Sequence, residues 1–511
     1  MATTVRVRGL DVAKMATLLI LVGSALRIAC FAANRSLWLD EAMLALNIVE
    51  RPFADLLRPL DYNQAAPIGF LMLLKAATSV WGDHEYALRL VPLIAGLACL
   101  PLFWQLAKQV LSPGEALIAL CIFAIGDTLV YYSAEVKQYS LDVALTLGIL
   151  LCALPVLREE RPGRRRYLYL ALLGAAAVWF SIPAVLVLAG VGAALFLSAK
   201  DGRQRAAVLA VAAVWFASFL LDYFLFLRVI RDNDTLRGSW DDRFLAWPTS
   251  PAAVRRDIEM LLLPFATLLG LTQPLLAKLG FVGGLNVLYR RDRRILGLLV
   301  APFAPALLAS LLHVYPFTSR PILFTVPLFL LLIGAGVGAV REAVSRHVPL
   351  FGAALLLALL WGPAAGAARS FLRPPAREET RNVLQYLSGR MRPGDAVWVS
   401  HPTQHTFRYY VEFGGQDRIA ALDPVISKRT KAEKDRILTE LQPVLGKPRV
   451  WFVFSYTDVQ GNRDELHERE LILGMLDRMG KRLDQVEATN AWGYLYDLTA
   501  PPPQASPPTP R

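Results

Sequence analysis

The sequence predicts a polytopic α-helical membrane protein with about eleven transmembrane helices, followed by a C-terminal soluble α/β domain. Of its 511 residues, 55% are hydrophobic and only 19% are charged, which is too apolar for an ordinary soluble protein. Apolar runs near the length that crosses a hydrocarbon core of about 30 Å recur from residue 14 to residue 368. After Arg369 charged residues become frequent and no run is long enough to span, so a soluble domain is expected there.

Short basic loops separate the apolar runs at alternate junctions, as the positive-inside rule requires of cytoplasmic loops. An odd number of spans then places the N-terminus in the cytoplasm and the C-terminal domain outside. The same loops account for the net charge of +12 without a basic face, so no nucleic-acid partner is expected. The predicted spans are 14–32, 89–108, 116–132, 139–157, 168–182, 184–199, 206–227, 261–287, 295–312, 322–340 and 348–368. The loop markers are Arg161, Arg164, Arg165, Arg166, Lys200, Arg203, Arg205, Arg290, Arg291, Arg293, Arg294, Arg341 and Arg346.

The first apolar run is expected to be a retained anchor, because no small-residue cleavage site is obvious before Trp38 and many spans follow it. The four cysteines all lie in predicted helices, so no disulfide framework is expected. Span 261–287 is the weakest prediction, because it contains Pro264 and Pro274 and can break into two pieces.

Three domain-level segments follow from this pattern. Residues 1–368 form the transmembrane domain, whose first outer loop, 33–88, is far longer than a connection requires and contains a candidate interfacial helix from Pro67 to Trp81. Residues 369–498 alternate helical stretches with short β-rich runs, which indicates an extracytoplasmic α/β domain. The Pro-rich tail 499–511 is predicted to be disordered.

An acidic pair, Asp40 and Glu41, follows the first span on the predicted outer side. Ionisable residues at membrane depth are costly unless they have a partner or a task, so the pair is a candidate functional site. A second acidic residue, Glu135, lies in the segment YYSAEVKQYS between the third and fourth spans, beside Lys137 and Gln138. If the two loops converge, they form a charged cleft that faces outward.

Such a cleft suits sugar transfer from a lipid-linked phosphate. A carboxylate can take the proton of an attacking hydroxyl, and the phosphate that leaves requires Arg, Lys or a metal ion. Lys137, Arg320 in YPFTSRP and Arg89 at the start of the second span are the candidate cations. Further candidate contacts to the substrate are Gln138, Tyr139, Tyr132, Asn63 and Gln64.

Simpler interpretations exist for each of these residues. Asp40 and Glu41 could merely cap an outer helix, and Glu135 with Lys137 could be an ordinary loop ion pair. Arg320 could be an interfacial anchor, and Arg89 could pair with Glu85 as a structural clamp.

The ordered set LWLDEA, NQAAPIGFLMLLKAATSVWGDHEYALRLVP and YYSAEVKQYS resembles bacterial GT-C glycosyltransferases, the group of protein O-mannosyltransferases and lipid A aminoarabinose transferase. The resemblance covers residues 14–200, and YPFTSRPILFTVP is similar to a late helix of the family with a Tyr and an Arg at its outer end. One departure is Gln64-Ala65-Ala66-Pro67, where many relatives have a His-Pro-Pro-like segment.

The resemblance implies a GT-C-like fold in the bacterial inner membrane and a polyprenyl-phosphate sugar donor. The acceptor would be a glycan, lipid or protein, and transfer would invert the anomeric carbon. Asp40 would be the catalytic carboxylate, with Glu41 as second choice and Glu135 as the other acidic site. Some members use a divalent cation, Mg²⁺ or Mn²⁺, for which Asp40 and Glu135 are the candidate ligands. We therefore expect the Asp40 and Glu135 carboxylates in one outer cavity, within about 10 Å of each other.

Two other classes compete with this expectation. A transporter or lipid-linked sugar flippase would use the acids to couple ions, but no internal repeat is evident and the acids lie at helix ends. A non-enzymatic membrane scaffold leaves both acidic loops unexplained.

Overall fold

The computed structural model describes residues 9–228, 238, 240–345, 348–416, 419, 423–428, 434–455 and 463–499. Except for Thr499, the predicted tail 499–511 lies outside these residues, as does Arg346. The chain forms two compact units that alternate along the sequence. The first comprises Met1–Ala33, Arg51–Ala77 and Arg89–Pro374, and the second comprises Asn34–Glu50, Thr78–Leu88 and Pro375–Arg511.

Helices dominate the first 372 residues. They are α1 (Gly9–Ala32), α2 (Leu39–Glu50), α3 (Ile68–Trp81), α4 (Glu85–Val110), α5 (Pro113–Ile125), α6 (Asp127–Tyr132), α7 (Tyr139–Arg158), α8 (Arg164–Phe180), α9 (Ala184–Ser198), α10 (Gly202–Asp222), α11 (Pro251–Leu262), α12 (Pro264–Thr267), α13 (Pro274–Arg291), α14 (Arg293–Val300), α15 (Phe303–Leu311), α16 (Val326–Ser345) and α17 (Pro349–Leu372). Short 3₁₀ turns occupy Phe53–Leu57 and Arg320–Thr325, and a π-helical turn, Tyr223–Leu227, extends α10.

Seven helical stretches in the described part of the chain are long and apolar enough to cross a membrane. The prediction of a multi-pass membrane protein is therefore confirmed, while the orientation of the termini stays a prediction. The seven stretches are Asp11–Ala32, Glu85–Val110, Tyr139–Arg158, Gly202–Leu227, Arg293–Leu311, Arg320–Ser345 and Leu350–Leu372. Three shorter apolar helices are Ile68–Trp81, Pro113–Ile125 and Ala184–Ser198.

Several predicted spans are not single α-helices. Span 295–312 comprises α14 and α15, and span 322–340 begins in the 3₁₀ turn that precedes α16. Span 261–287 contains the end of α11, the four-residue α12 and most of α13, and the breaks fall before Pro264 and Pro274. Proline has no backbone N–H to continue the preceding helix, so both positions begin new helices. Gln273 before Pro274 also leaves the helical region, at φ −113° and ψ 72°, whereas Leu263 before Pro264 keeps helical angles. Span 116–132 is divided between α5 and α6 at Gly126, whose ψ of 114° is not helical.

Helices α13 and α16 pack very closely, and this packing fixes the span that begins at Arg320. A Cβ atom at Gly336 would overlap the Gly280 carbonyl, and one at Gly284 would overlap the Leu332 carbonyl. Small residues at helix crossings in membranes allow such backbone approach.

The second unit contains a five-stranded sheet with strand order β2-β1-β3-β5-β4. Strands β1 to β3 are parallel, whereas β5 is antiparallel to both β3 and β4. The strands are β1 (Ala396–Val399), β2 (Val425–Ile426), β3 (Val450–Ser455), β4 (Lys481–Ala488) and β5 (Ala491–Asp497). The helices around it are α18 (Thr380–Arg390), α19 (Gln404–Glu412), α20 (Lys434–Leu441) and α21 (Arg463–Met479).

This sheet confirms the predicted α/β character of the C-terminal segment. The sequence predicts helices over 378–391, 431–441 and 464–479 and strands over 396–400, 450–454 and 492–498. Helices α18, α20 and α21 and strands β1, β3 and β5 match these elements within a few residues. Helix α19 and strands β2 and β4 were not predicted. Strand β4 has the polar sequence KRLDQVEA and is largely exposed at the sheet edge, so it lacks the apolar run that reveals β1 and β3.

A bidentate ion pair joins two distant helix ends in the first unit. Arg291 at the end of α13 donates from Nη1 and Nη2 to the two carboxylate oxygens of Glu115, at 2.8 and 2.9 Å. Glu115 is buried in the first turn of α5 and also accepts the Ser112 N–H at 2.9 Å. Arg291, predicted only as a topological marker, therefore also neutralises a buried carboxylate.

We predict that Arg291→Ala destabilises the folded protein by about 1–3 kcal/mol, because it leaves the buried Glu115 carboxylate without its charged donors. Thermal unfolding of the detergent-solubilised protein measures the change. Arg290→Ala, at the exposed neighbouring position, is the matched control. An equal melting temperature for both variants would contradict the structural role of the ion pair.

Candidate functional site

Asp40 and Glu41 both lie in the first turn of α2, within the second unit. Carboxylates at this end of a helix interact favourably with its dipole, so the capping interpretation describes part of their role. The two side chains differ in accessibility, because Asp40 is partly exposed and Glu41 is 0% exposed. This difference favours Asp40 as the group that can reach a substrate hydroxyl.

The segment between α6 and α7, residues 133–138, forms a tight turn in the first unit. The Lys137 N–H donates to the Glu135 carbonyl oxygen at 2.7 Å, and Gln138 occupies the N-cap position of α7 without a side-chain capping bond. Glu135 is 0% exposed and Lys137 is 5% exposed. Burial of both charged side chains in one turn exceeds what an ordinary surface loop pair requires.

Arg320, which is 185 positions after Glu135 in the sequence, lies beside this turn. Its Nη1 lies 3.9 Å from Oε1 of Glu135, and its guanidinium carbon lies 5.8 Å from the ring centroid of Tyr139. The rings of Tyr139 and Tyr132 meet edge to face at 5.1 Å. The structure therefore brings together four residues that the sequence singled out, Glu135, Arg320, Tyr139 and Tyr132.

The backbone before Arg320 adopts an uncommon conformation. Ser319 has φ 54° and ψ −148°, a combination that residues with a side chain rarely adopt. The hydroxyl of Tyr315 donates to the Pro321 carbonyl at 2.7 Å and closes this turn. Burial, together with the nearby Asp142 and Tyr139, raises the pKa of Tyr315 well above its usual value, which keeps its proton available for that bond.

Gln64 joins the same group of residues through Lys137, whose Nζ donates to its Oε1 at 2.8 Å. The preceding Tyr62 and Asn63 have φ values of 62° and 52°, so the chain turns sharply before Gln64. Asparagine tolerates this left-handed region better than most residues do, which gives Asn63 a conformational reason to be there. Its contact with the substrate stays a prediction.

Arg243 is a further cation of this group that the sequence did not single out. Its guanidinium lies over Trp240, 4.6 Å from the ring centroid, and it interacts electrostatically with Arg320 and Tyr139. Burial lowers the pKa of Arg243, and the charge of Arg320 adds to that effect, whereas Asp242 and Tyr139 oppose it. The only signal in the sequence was an arginine near Trp240 in the long stretch of about 228–258 between two predicted spans, which falls on the predicted outer side.

Asp142 is a second residue that the sequence reasoning missed. It lies one turn after Gln138 in α7, is buried, and shares a hydrogen bond with Ser181. Asp142 Oδ1 and Gln138 Oε1 accept no hydrogen bond from any described residue. An aspartate in an otherwise apolar span is itself a functional signal.

Arg89, the remaining predicted site residue, is buried in the first unit as part of α4. Glu85, its suggested partner, forms an ion pair with Arg381 at 2.7 Å inside the second unit.

The group formed by Glu135, Lys137, Arg243 and Arg320, which we call the cationic cluster, holds three positive charges and one negative charge in a mostly buried position. The exposed Asp242 adds a second carboxylate at its edge, 3.7 Å from Arg243, and the cluster stays net positive. A net positive, desolvated cluster with two guanidinium groups suits phosphate, which arginine binds bidentately. It does not suit a divalent cation at Glu135, and no group of three or more His, Cys, Asp or Glu residues in the described ranges could hold a metal ion. The Mg²⁺ or Mn²⁺ expectation stays a prediction, and no step below is derived through a metal.

Comparison with known proteins finds a family model that matches part of the chain and solved structures that share its fold. Residues 65–223, which include Glu135 to Tyr139, match the family model of dolichyl-phosphate-mannose-protein mannosyltransferases. No curated protein matches the chain.

Solved structures match over nearly the whole chain. ArnT from Cupriavidus metallidurans in the apo state has a TM-score of 0.56 at 12% identity, covering 96% of this chain and 99% of that one. The same protein bound to undecaprenyl phosphate has a TM-score of 0.54 at 11% identity, with 96% and 99% covered. The oligosaccharyltransferase AglB from Archaeoglobus fulgidus, with an inhibitory peptide and a dolichol-phosphate, has a TM-score of 0.51 at 11% identity, with 94% and 74% covered.

The resemblance inferred from the sequence is thereby confirmed at the level of the fold. The chain is a multi-pass membrane protein with the GT-C fold and a small C-terminal sheet domain. The family match and these structures together support a membrane glycosyltransferase.

We predict that Ser319→Gly keeps or raises the melting temperature, whereas Ser319→Val lowers it. Glycine adopts the Ser319 backbone conformation without steric cost, and a β-branched residue does not. Thermal unfolding in detergent distinguishes the two. A loss of stability in Ser319→Gly as large as that in Ser319→Val would show that this turn is not strained.

Proposed function

We propose that the protein transfers a sugar from a polyprenyl-phosphate donor to an acceptor hydroxyl on the outer face of the bacterial inner membrane. The observation that supports this most strongly is the cationic cluster, a buried anion-binding group on a GT-C fold. The basic loops support a cytoplasmic N-terminus and an extracytoplasmic C-terminal domain.

In the proposed reaction the acceptor oxygen attacks the anomeric carbon while the bond from that carbon to the phosphate oxygen breaks. The acceptor proton moves to the Asp40 carboxylate, and the configuration inverts in this single displacement. The electron pair of the broken bond stays on the polyprenyl phosphate. Negative charge therefore grows on the phosphate as the reaction proceeds.

The cationic cluster is the group that meets this charge. Arg320 and Arg243 supply planar donors that suit two phosphate oxygens, and Lys137 supplies a third cation. Gln64 positions Lys137 by accepting its hydrogen bond at 2.8 Å, and the Glu135 carboxylate attracts Arg320 from 3.9 Å, a separation longer than a hydrogen bond. Gln138 and Asp142 offer buried acceptor atoms that suit the hydroxyl groups of a sugar.

The comparisons point to the same donor class. The similar ArnT structure holds undecaprenyl phosphate, and the similar AglB structure holds dolichol-phosphate and a peptide. We extend the carrier class, polyprenyl phosphate, to this chain. The acceptor is a glycan, a lipid or a protein, and the sugar is a hexose or a pentose; envelope glycan and lipid analysis of a deletion strain would identify both.

A transporter or lipid-linked sugar flippase is the alternative. Asp142 adds a buried acid at membrane depth, which that class also uses, but it lies in the first turn of α7, near the helix end. A scaffold function gives no reason for the cationic cluster.

We predict that Asp40→Asn lowers sugar transfer at least 100-fold without changing the melting temperature, because general bases typically contribute 10²–10⁴-fold to rate. A panel of hexosyl and pentosyl polyprenyl phosphates serves as donor, and labelled product is counted. Asp55→Asn, a carboxylate of the same outer loop that pairs with Arg58, is the matched control. Full activity in Asp40→Asn would remove Asp40 as the base, and Glu41→Gln would then test the second choice.

We predict that Arg243→Gln and Lys137→Gln each weaken binding of polyprenyl monophosphate by about tenfold to 100-fold, because each removes charged donors to phosphate. Native mass spectrometry or calorimetry compares polyprenyl monophosphate with the uncharged polyprenol. Arg255→Gln, an exposed arginine that pairs with Glu259, is the control. Equal affinity for the alcohol and the phosphate would contradict phosphate recognition.

A further inference from the structure

The stretch that leads to Asp40, residues 34–38, is not helical and depends on other parts of the second unit for its hydrogen bonds. The Ser36 hydroxyl donates to Glu379 Oε2 at 2.7 Å, and the Ser36 N–H donates to Glu379 Oε1 at 3.3 Å. The Leu37 N–H donates to the Tyr410 hydroxyl at 2.6 Å. Side chains more than 300 positions away thus satisfy the backbone that precedes Asp40.

Glu378 makes the contact nearest to Asp40. Its Oε2 accepts the N–H of Leu39, the first residue of α2, at 3.2 Å. Its Oε1 accepts the hydroxyls of Thr380 at 2.6 Å and Thr406 at 3.1 Å. Glu378 is fully buried, so these donors take the place of water around its carboxylate. A carboxylate that accepts an amide at a helix start is a charge-assisted cap.

Other contacts hold the two ends of the same segment. Arg381 donates to the Asn34 carbonyl, and the Arg377 guanidinium lies 4.3 Å from the centroid of Trp38. At the far end of α2, Glu50 forms an ion pair with Arg408 at 3.0 Å.

The second flanking segment, Thr78–Leu88, is fixed in the same manner. The Tyr409 hydroxyl donates to the Asp83 carbonyl at 3.0 Å, and Arg381 pairs with Glu85 at 2.7 Å. Arg381 thereby links both segments of the first outer loop that belong to this unit.

We propose that the C-terminal α/β domain acts as a clamp on the first turn of α2 and that Glu378 is the positioning residue that sets the place of the Asp40 carboxylate. This inference rests on the proposed function of Asp40 and assigns a role to a domain whose sequence carried no motif. A displacement of about 1 Å at a reacting group can lower a rate about 100-fold. Leu39 is one residue before the proposed base, so loss of its bond to Glu378 is expected to lower kcat.

The charge of Glu378 can be separated experimentally from its role as a hydrogen-bond acceptor. Burial raises the pKa of its carboxyl to about 7, although the bonds from Thr380, Leu39 and Thr406 lower it. Glutamine at this position keeps an oxygen that can accept the Leu39 N–H but carries no charge. Alanine removes the acceptor altogether.

The test compares Glu378→Ala, Glu378→Gln and Asp395→Asn in the full-length protein in detergent. Asp395 is a buried carboxylate of the same domain whose bonds go to Arg449 at 2.7 Å and to the Arg392 N–H. We expect Glu378→Ala to lower kcat about 10-fold to 100-fold with the donor KM changed less than threefold, and Glu378→Gln to recover part of the loss. Asp395→Asn is expected to keep kcat per folded molecule.

Hydrogen–deuterium exchange of residues 36–42 supplies a readout that does not need activity. We expect faster exchange there in Glu378→Ala and unchanged exchange in Asp395→Asn. Unchanged exchange in Glu378→Ala, or an equal fall of kcat in Asp395→Asn, would overturn the clamp. If the wild-type protein transfers no sugar from any donor, the proposed function fails, while the exchange data still decide whether the clamp exists.

Discussion

The contact between the Glu135 carboxylate and Arg320 fixes the site around it. Glu135 is fully buried, and an isolated charge in that position is unstable without a partner, so the protein must bring Arg320 to it from 185 positions away. Arg320 directly follows the strained Ser319 backbone and begins the stretch whose helix, α16, packs closely against α13. With Arg243 and Lys137 in the same group, positive charge exceeds negative charge, which is the charge balance that an anion site requires.

Much of this was visible in the sequence, for physical reasons that differ from element to element. Spans such as α7 follow from apolar length, and Glu135 stands out because ionisable residues are rare at membrane depth. Arg243 was missed because its loop has no periodic pattern that places it near α7. The contacts of Glu378 were missed because they join positions more than 300 apart, and no local propensity encodes such a contact.

The second unit shows why a polytopic chain of this kind cannot be divided simply at the end of its last helix. Its sheet domain includes two pieces of the first outer loop, Asn34–Glu50 and Thr78–Leu88. These pieces are made early in synthesis, and their partners Glu378, Arg381 and Tyr410 are made much later. The contacts that hold the start of α2 can therefore form only after the C-terminal segment has been synthesised, and closing so long a loop costs conformational entropy.

The charge balance of the cationic cluster also bears on how strongly the donor and the leaving group bind in the proposed reaction. A sugar donor carries a phosphodiester with a single negative charge, whereas the polyprenyl monophosphate that leaves carries about −1.5 to −2 at neutral pH. In the proposed reaction, a site whose cations outnumber its carboxylates binds the leaving group more strongly than the donor. That preference stabilises the transition state, where charge is already shifting to the phosphate. The same preference slows release of the polyprenyl monophosphate. Product release, and not only the chemical step, is then expected to limit kcat.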